Sequence, residues 1–293
     1  VFIAPVNCAI KEYGINNVEI LKTSINNVNF CMDKEYLLSL EKNSALVIVH
    51  NLGYIIDIDY IKELRPDIVI VEDNCEGIFG KYNNKLSGTD TLCSSLSFYG
   101  NKTITTGEGG CFLTNDIDVY NYIKTIYSHG MGNERYVHTN IGYNYRMTNI
   151  QAALLYEQLN DIDNILMIKK NIFKNYDELI KKELNDFSMV YKIKDSKNTV
   201  NSYWMYVLFI KKLNYKEFEI YMEQKNIQIR PLFYNMKKHT HLKNIITHEN
   251  NENTLFSEGF MLPSYPELSL NQQNYIILSI KDYLIANYLT NGI

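Results

Sequence analysis

Two residues stand out for what they could do together: Asp73, just past the apolar run 68–71, and Lys102, inside the turn Ser97-Phe98-Tyr99-Gly100-Asn101-Lys102. A carboxylate at the end of a strand can hold a heteroaromatic nitrogen protonated, so that the ring acts as an electron sink for a carbanion beside it. A lysine attacks a carbonyl only when neutral, which takes desolvation or a nearby cation. The loop that follows, Thr103-Ile104-Thr105-Thr106-Gly107-Glu108-Gly109-Gly110, is polar and glycine-rich and lets backbone approach a bound ring closely. Acid and amine together suit pyridoxal 5'-phosphate (PLP), with the acid at its pyridine nitrogen and the amine forming a Schiff base with its aldehyde. Each residue alone has a plainer reading: a helix N-cap or loop ion pair for Asp73, a solvated surface cation for Lys102.

The elements that must position this pair read as α/β. Short β-branched runs at 46–49 and 68–71 flank a helical pattern at 54–64, the signature of a βαβ unit and a largely parallel sheet. Further strands are expected at 95–99 and 111–114, and a helix at 117–127. In an open α/β sheet ligands sit at the carboxyl ends of strands, where Asp73 falls. Thr148-Asn149-Ile150-Gln151 is a capping box that opens a long helix, expected to bend near Asn160-Asp161. Beyond it a smaller α+β domain is expected, with a strand at 203–210, a helix at 215–225 and a second capping box from Ser269 to Gln272. The expected division is a PLP-binding large domain, 1–166, with a mostly parallel mixed sheet, and a smaller C-terminal domain, 167–293; residues 194–201 read as a loop or linker.

Composition narrows the class. With 293 residues and 46% apolar content the chain can bury a sizeable core. A net charge of -4 without a basic cluster gives no footprint for nucleic acid or an anionic membrane, so small ligands are the expected partners. The five cysteines are odd in number and lack Cys-x-x-Cys spacing, which suggests neither a disulfide framework nor a zinc site and fits a cytoplasmic protein. No run approaches a membrane span.

Three blocks carry a resemblance: Val71-Glu72-Asp73-Asn74-Cys75-Glu76-Gly77, the stretch from Ser97 to Gly110, and Gly142-Tyr143-Asn144-Tyr145-Arg146-Met147-Thr148-Asn149-Ile150-Gln151-Ala152-Ala153. In order and content they resemble the signature blocks of the DegT/DnrJ/EryC1/StrS family of nucleotide-sugar aminotransferases, and the likeness runs on through Tyr203-Trp204-Met205-Tyr206 and Leu262-Pro263-Ser264. The resemblance implies a PLP-dependent fold type I enzyme acting as a homodimer. It implies amino transfer from L-glutamate to C4 of a nucleotide-linked 4-keto-6-deoxy sugar, in two half-reactions. Lys102 would be the Schiff-base lysine and proton shuttle, and Asp73 the partner of the pyridine nitrogen. Glu76, where most members carry Gln and one branch carries Glu, would lie near the ring hydroxyl. Ser97 would donate to the phosphate, and Asn144 would reach the phosphate of the neighbouring subunit's cofactor. A branch that carries His in place of the lysine performs 3-dehydration, against which Lys102 argues. The alternatives are a 3-keto-sugar aminotransferase of the same family and a catalytically silent relative used as a sensor or scaffold.

Other residues have double readings. Arg146 could meet a carboxylate or phosphate, or form an interface salt bridge. His129 could line a sugar site or cap a helix C-terminus. His239 and His241 would share one face of a strand as metal ligands, but no third ligand accompanies them, and surface histidines are the expectation. Cys75 is expected in the core, and the aromatics of 203–206 in the packing of the small domain. The chain opens on Val1, and Val1-Phe2-Ile3-Ala4-Pro5 reads as a strand inside a sheet, so an earlier segment is expected. Family members have there a Gly-Thr or Gly-Ser turn that binds phosphate through backbone N–H groups. They also carry a ring-stacking aromatic after the position of Pro5, so a gap is expected between Pro5 and Asn7. At Asn235-Met236-Lys237 the family's substrate motif is altered.

Overall fold

The computed structural model describes residues 3–21, 23–24, 31–32, 34–234, 236–247 and 255–289. Its main sheet has four strands in spatial order: β1 (Ala45–Val49), β2 (Val69–Asp73), β3 (Cys93–Ser97) and β4 (Gly110–Thr114). The first three are parallel and β4 is antiparallel at the edge. Helix α2 (Ile58–Leu64) makes the crossover from β1 to β2, and Asp57 caps it by accepting the N–H of Tyr60 at 2.9 Å. Leu46, Ile48 and Ile70 point to one face of the sheet and bury against Ile58, Ile61 and Leu37. The registers Val49 to Asp73 and Asp73 to Ser95 align the carboxyl ends of the three parallel strands.

Below those ends lies a buried polar knot. His50, which follows β1, accepts the Ile56 N–H on Nδ1 at 3.1 Å, so its ring proton is on Nε2, which donates to Glu72 Oε2 at 2.8 Å. Glu72 also receives the Thr91 hydroxyl at 2.6 Å and the Gly88 N–H at 2.7 Å. Burial alone would raise this carboxyl, and the bonds from His50, Thr91 and Gly88 more than offset it, leaving it below the ordinary value. Its stabilisation is therefore present above the unfolded carboxyl range and lost as pH falls through the lowered folded value. Glu72→Gln is expected to cost about 2–3 kcal/mol at pH 7 and to lose less stability than the parent between pH 5 and 3. Urea unfolding at both pH values checks this, and parallel losses would contradict it.

Downstream, α3 (Ile117–Ile126) and α4 (Asn149–Asn160) follow, and the Thr148–Gln151 capping box forms in both directions. The expected bend is a break at Asp161, after which α5 runs over Ile162–Glu183. Ile162 and Ile165 pack with Phe98 and Ile104, whereas Ile172 and Tyr176 join the second core. That core lies on an antiparallel sheet of β5 (Val190–Tyr191), β6 (Tyr206–Ile210), β7 (Arg230–Pro231) and β8 (Gly259–Leu262), in the order β5-β6-β8-β7. Helices α6 (Tyr215–Gln224) and α7 (Leu270–Leu284) cover it, and α7 opens on the expected Ser269–Gln272 capping box. Among the described residues no helix is long and apolar enough to cross a membrane.

Two expectations fail. Residues 1 and 2 lie outside the described set, but Ile3–Tyr13 is a helix, α1, not a strand. Ile3, Val6 and Ile10 fall at helical spacing and pack against Ile20, Met236, Leu242 and Ile245, while Pro5 sits in the first turn, where its missing N–H costs nothing. This helix runs through Pro5, Val6 and Asn7 unbroken with Val6 buried, so the expected gap is not found there. Residues 195–198 are loop as expected, and Thr199–Val200 then pairs antiparallel with Lys81–Tyr82.

Candidate active site

The parallel strands deliver His50, Asp73 and Ser97 to one end of the sheet, each at or just past a strand's last residue. Asp73 closes β2 and is buried, its Oδ1 accepting the Cys75 N–H at 3.2 Å. The turn after β3 then brings in Lys102, whose own N–H closes onto the Tyr99 carbonyl at 2.9 Å. Lys102 has a side chain only 10% exposed, and its Nζ stands 4.0 Å from Glu76 Oε1.

Glu76 is held from two sides. Its Oε2 accepts the Leu52 N–H at 2.7 Å, and its carbonyl accepts the Ser202 hydroxyl at 2.6 Å. Burial pushes its carboxyl up to about 7, a rise that Lys102 and the Leu52 N–H restrain and Asp73 adds to. Lys102 and Asp73 therefore act on the same carboxylate. They also both act on Cys75, whose thiol is pushed up to about 12 by burial and by Asp73, with Ser95 and Lys102 opposing. Cys75 is thus half-buried at the cluster rather than in the core as expected. Its Cα follows a strand end, where side chains turn toward the ligand side.

A proton on Glu76 has a measurable consequence. The folded protein keeps it to about pH 7, whereas the unfolded chain releases it near the ordinary value of about 4.3. Folding binds a proton between these values, so the stability of the cofactor-free protein falls as pH rises across that window and then levels. Glu76→Gln is expected to flatten the fall and leave the cofactor-free protein more stable than the parent at pH 8, by on the order of 2 kcal/mol. Denaturant titrations at pH 5 and pH 8 read this directly, and an unchanged difference between them would refute it.

Of the other sequence candidates, Ser97 shares this end of the sheet. Ser97 is half-buried, and its hydroxyl accepts the Tyr99 N–H at 3.3 Å. Asn144 is exposed on the loop 142–147, bridged to Ser128 through the backbone. That loop is clamped hard: a Cβ on Gly130 would lie 1.8 Å from the Asn140 carbonyl oxygen, so only glycine fits the approach. Arg146 is exposed, with Nη2 3.4 Å from His129 Nε2, and His129 itself takes a positive φ of 64° just beyond α3. His239 and His241 belong to a short 3-10 segment rather than a strand, and His241 Nε2 meets Asn7 Oδ1 at 2.9 Å. Among the described residues no group of three metal-ligating side chains forms. Asn235 lies outside the described residues, and Met236 is buried against α1.

One member of the site was missed by sequence reading. Trp204, expected to pack the small domain, does bury there, but its ring also lies under the Lys102 amine, 4.3 Å from nitrogen to ring centroid. Only the fold brings residues 102 apart in sequence into contact, and the motif Tyr203-Trp204-Met205-Tyr206 carries no spacing that signals it.

The donor set fits PLP: a buried acid at a strand end, a nearly buried amine sharing its field, a hydroxyl-bearing strand end beside them, and partnerless buried oxygens Asn51 Oδ1 and Asn101 Oδ1 on the adjoining loops. The sequence matches the model of the DegT/DnrJ/EryC1/StrS aminotransferase family over residues 2–281. It is 35% identical over 250 residues to a GDP-perosamine synthase of Escherichia coli O157:H7, covering 83% of this chain and 66% of that one. To a GDP-perosamine synthase of Vibrio cholerae it is 31% identical over 278 residues, 90% of this chain and 71% of that one. The chain thus spans about two thirds of the length of these relatives. Among solved structures it is similar to PseC of Helicobacter pylori, an aminotransferase involved in the biosynthesis of pseudoaminic acid. The TM-score is 0.87 at 21% identity, covering 98% of this chain and 78% of that one. The sugar aminotransferase CalS13 of Micromonospora echinospora gives a TM-score of 0.81 at 19% identity, covering 96% of this chain and 78% of that one. These two likenesses carry the fold, which is the α/β fold type I expected from the resemblance. With its signature blocks in order and residues 2–281 of its 293 matched, this chain belongs to the DegT/DnrJ/EryC1/StrS aminotransferase family.

Proposed function

We propose that this protein is a PLP-dependent aminotransferase that moves the amino group of L-glutamate to C4 of a nucleotide-linked 4-keto-6-deoxy sugar by a ping-pong mechanism. The observation that carries the reading is the nearly buried Lys102 amine 4.0 Å from Glu76 and in the same field as Asp73, at the carboxyl ends of the parallel strands. Bound, the cofactor would supply an aldehyde for covalent capture of amines and a protonated ring that draws electrons from the adjoining carbon. Asp73 would keep the ring nitrogen protonated, and Glu76 would lie near the ring hydroxyl. Ser97 would hold the phosphate. Lys102 would anchor the cofactor and, once displaced by the amino donor, move the proton at the reacting carbon in both half-reactions. The large domain, 1–166, would carry these residues, and 167–293 would close the substrate side.

Asn144, exposed within one chain, would complete the neighbouring subunit's phosphate site, making the active unit a homodimer. Helices α3 and α4 hold no fully buried residue, and Ile150, Leu154 and Tyr156 on α4 are exposed, an apolar surface suited to that assembly. The named relatives favour a GDP-linked 4-keto-6-deoxymannose as acceptor and perosamine as product, with UDP- or dTDP-linked viosamine requiring the same C4 chemistry. Among the similar proteins is a GDP-4-keto-6-deoxy-D-mannose 3-dehydratase of Yersinia pseudotuberculosis, 30% identical over 188 residues. Lys102 supports transfer over that outcome. Full-length protein with PLP should be yellow, and L-glutamate should bleach the visible band. Incubation with each keto sugar and mass spectrometry should then give an aminated product. A colourless protein, or a dehydrated sugar without nitrogen, would overturn the reading.

A further inference from the structure

Trp204 touches the Lys102 segment at two points. The amine lies 4.3 Å from its ring centroid, and its Nε1–H donates to the carbonyl of Asn101, the preceding residue, at 2.9 Å. The indole is 5% exposed, so this contact is shielded from water. Its own backbone is fixed from behind. Lys169, on α5, donates through Nζ to the Trp204 carbonyl at 2.9 Å and to the Ser264 carbonyl. Ser264 belongs to the same support: its hydroxyl accepts the Tyr206 N–H at 2.9 Å and donates to the Leu262 carbonyl at 2.8 Å, joining the paired ends of β6 and β8.

Lys169 is itself unusual. It is 5% exposed, its two hydrogen bonds go to carbonyl oxygens, and burial lowers its amine to about 8 with no acid opposing. Burying an ammonium without an anion is costly, and a methionine would fill the space more cheaply. What the amine adds is direction, since two donors aimed at two carbonyls fix where Trp204 stands.

We propose that Trp204 is a positioning residue for Lys102 and that Lys169 is its anchor, so that the second core sets where the reactive amine rests. The inference rests on Lys102 being the cofactor lysine. An indole face attracts a cation and screens it from solvent. Between covalent engagements the free amine is therefore held over the indole face and on the Glu76 side, from which it can return to the reacting carbon. The indole does this without offering a competing proton acceptor.

Cofactor-free protein tests this, because it reads the amine before any reaction. Competitive acetylation at pH 8, scored by mass spectrometry against the exposed Lys174, should label Lys102 about three- to tenfold faster in Trp204→Leu than in the parent. Lys169→Met should move the rate the same way, and Lys169→Arg, which keeps donors, should restore it. A folded Trp204→Leu protein labelled at the parent's rate would overturn the positioning role, and a Lys169→Met protein at that rate would overturn the anchor. Should Trp204→Leu fail to fold, a second measurement decides. Trp204 is the chain's one tryptophan, so Lys102→Met should change its emission intensity in cofactor-free protein, and identical emission would refute the contact. Failure to bind PLP at all would sink the aminotransferase reading alone, since the labelling pattern does not need the cofactor.

Discussion

Lys102→Ala protein mixed with PLP is expected to show no visible band of the parent type, and its amino transfer should fall by about 1,000-fold or more. The size follows from the two duties proposed for one nitrogen. As anchor, the amine would capture the cofactor aldehyde, and as shuttle it would carry the proton that the reacting carbon loses and regains. Alanine removes both at once, and no neighbour replaces it: Glu76 is 4.0 Å away but tied to the Leu52 N–H, and Cys75, its thiol pushed up to about 12, stays protonated. The fold should survive, because the Lys102 N–H to Tyr99 bond and the Ile104 side chain that seats this turn in the core are untouched. Spectra, single-turnover assays with glutamate and a thermal melt together check the claim. Transfer above a tenth of the parent rate would remove Lys102 from its role.

Asp73→Asn is expected to slow the glutamate half-reaction by about 100- to 1,000-fold while leaving stability close to the parent's. Asparagine preserves the shape and the oxygen that accepts the Cys75 N–H at 3.2 Å, but it cannot hold a ring nitrogen protonated. The variant should still take up PLP and colour, since Lys102 remains. It also has an internal control. The Asp73 charge helps to raise the Cys75 thiol, so that thiol should titrate below its present position near 12 once the charge is gone. A variant that transaminates normally while its thiol shifts would show that Asp73 is near the site but outside the chemistry.

Much of this arrangement is written locally. The β-branched runs and the helix between them announce a βαβ unit, and Asp73 at a strand end follows from that alone. Both capping boxes form as their spacing requires, because their hydrogen bonds are made within four residues. What escapes local reading depends on partners distant in the chain. The stretch from Val1 to Pro5 reads as strand, yet the helical face of Ile3, Val6 and Ile10 is chosen by Met236, Leu242 and Ile245 more than 200 residues on. Trp204 is likewise assigned by a turn about a hundred residues earlier, and Cys75 by the curl of chain after β2. Glu72 enters the sequence reading only as part of the block 71–77, and its burial is not legible there, since His50 and Thr91 reach it from opposite directions in sequence.

Helix α4 is fastened to the lysine loop at its inner side: Gln151 Nε2 donates to the Glu108 carbonyl at 2.7 Å, and Gln158 both accepts the Thr105 N–H at 2.9 Å and donates to its carbonyl at 2.7 Å. Its other side is bare. A helix is about 10 Å thick, so whatever leans on that bare side is separated from the stretch 105–108 by a single rod gripped at two amides. Pressure there reaches the Lys102 turn through glutamine, without passing through the sheet.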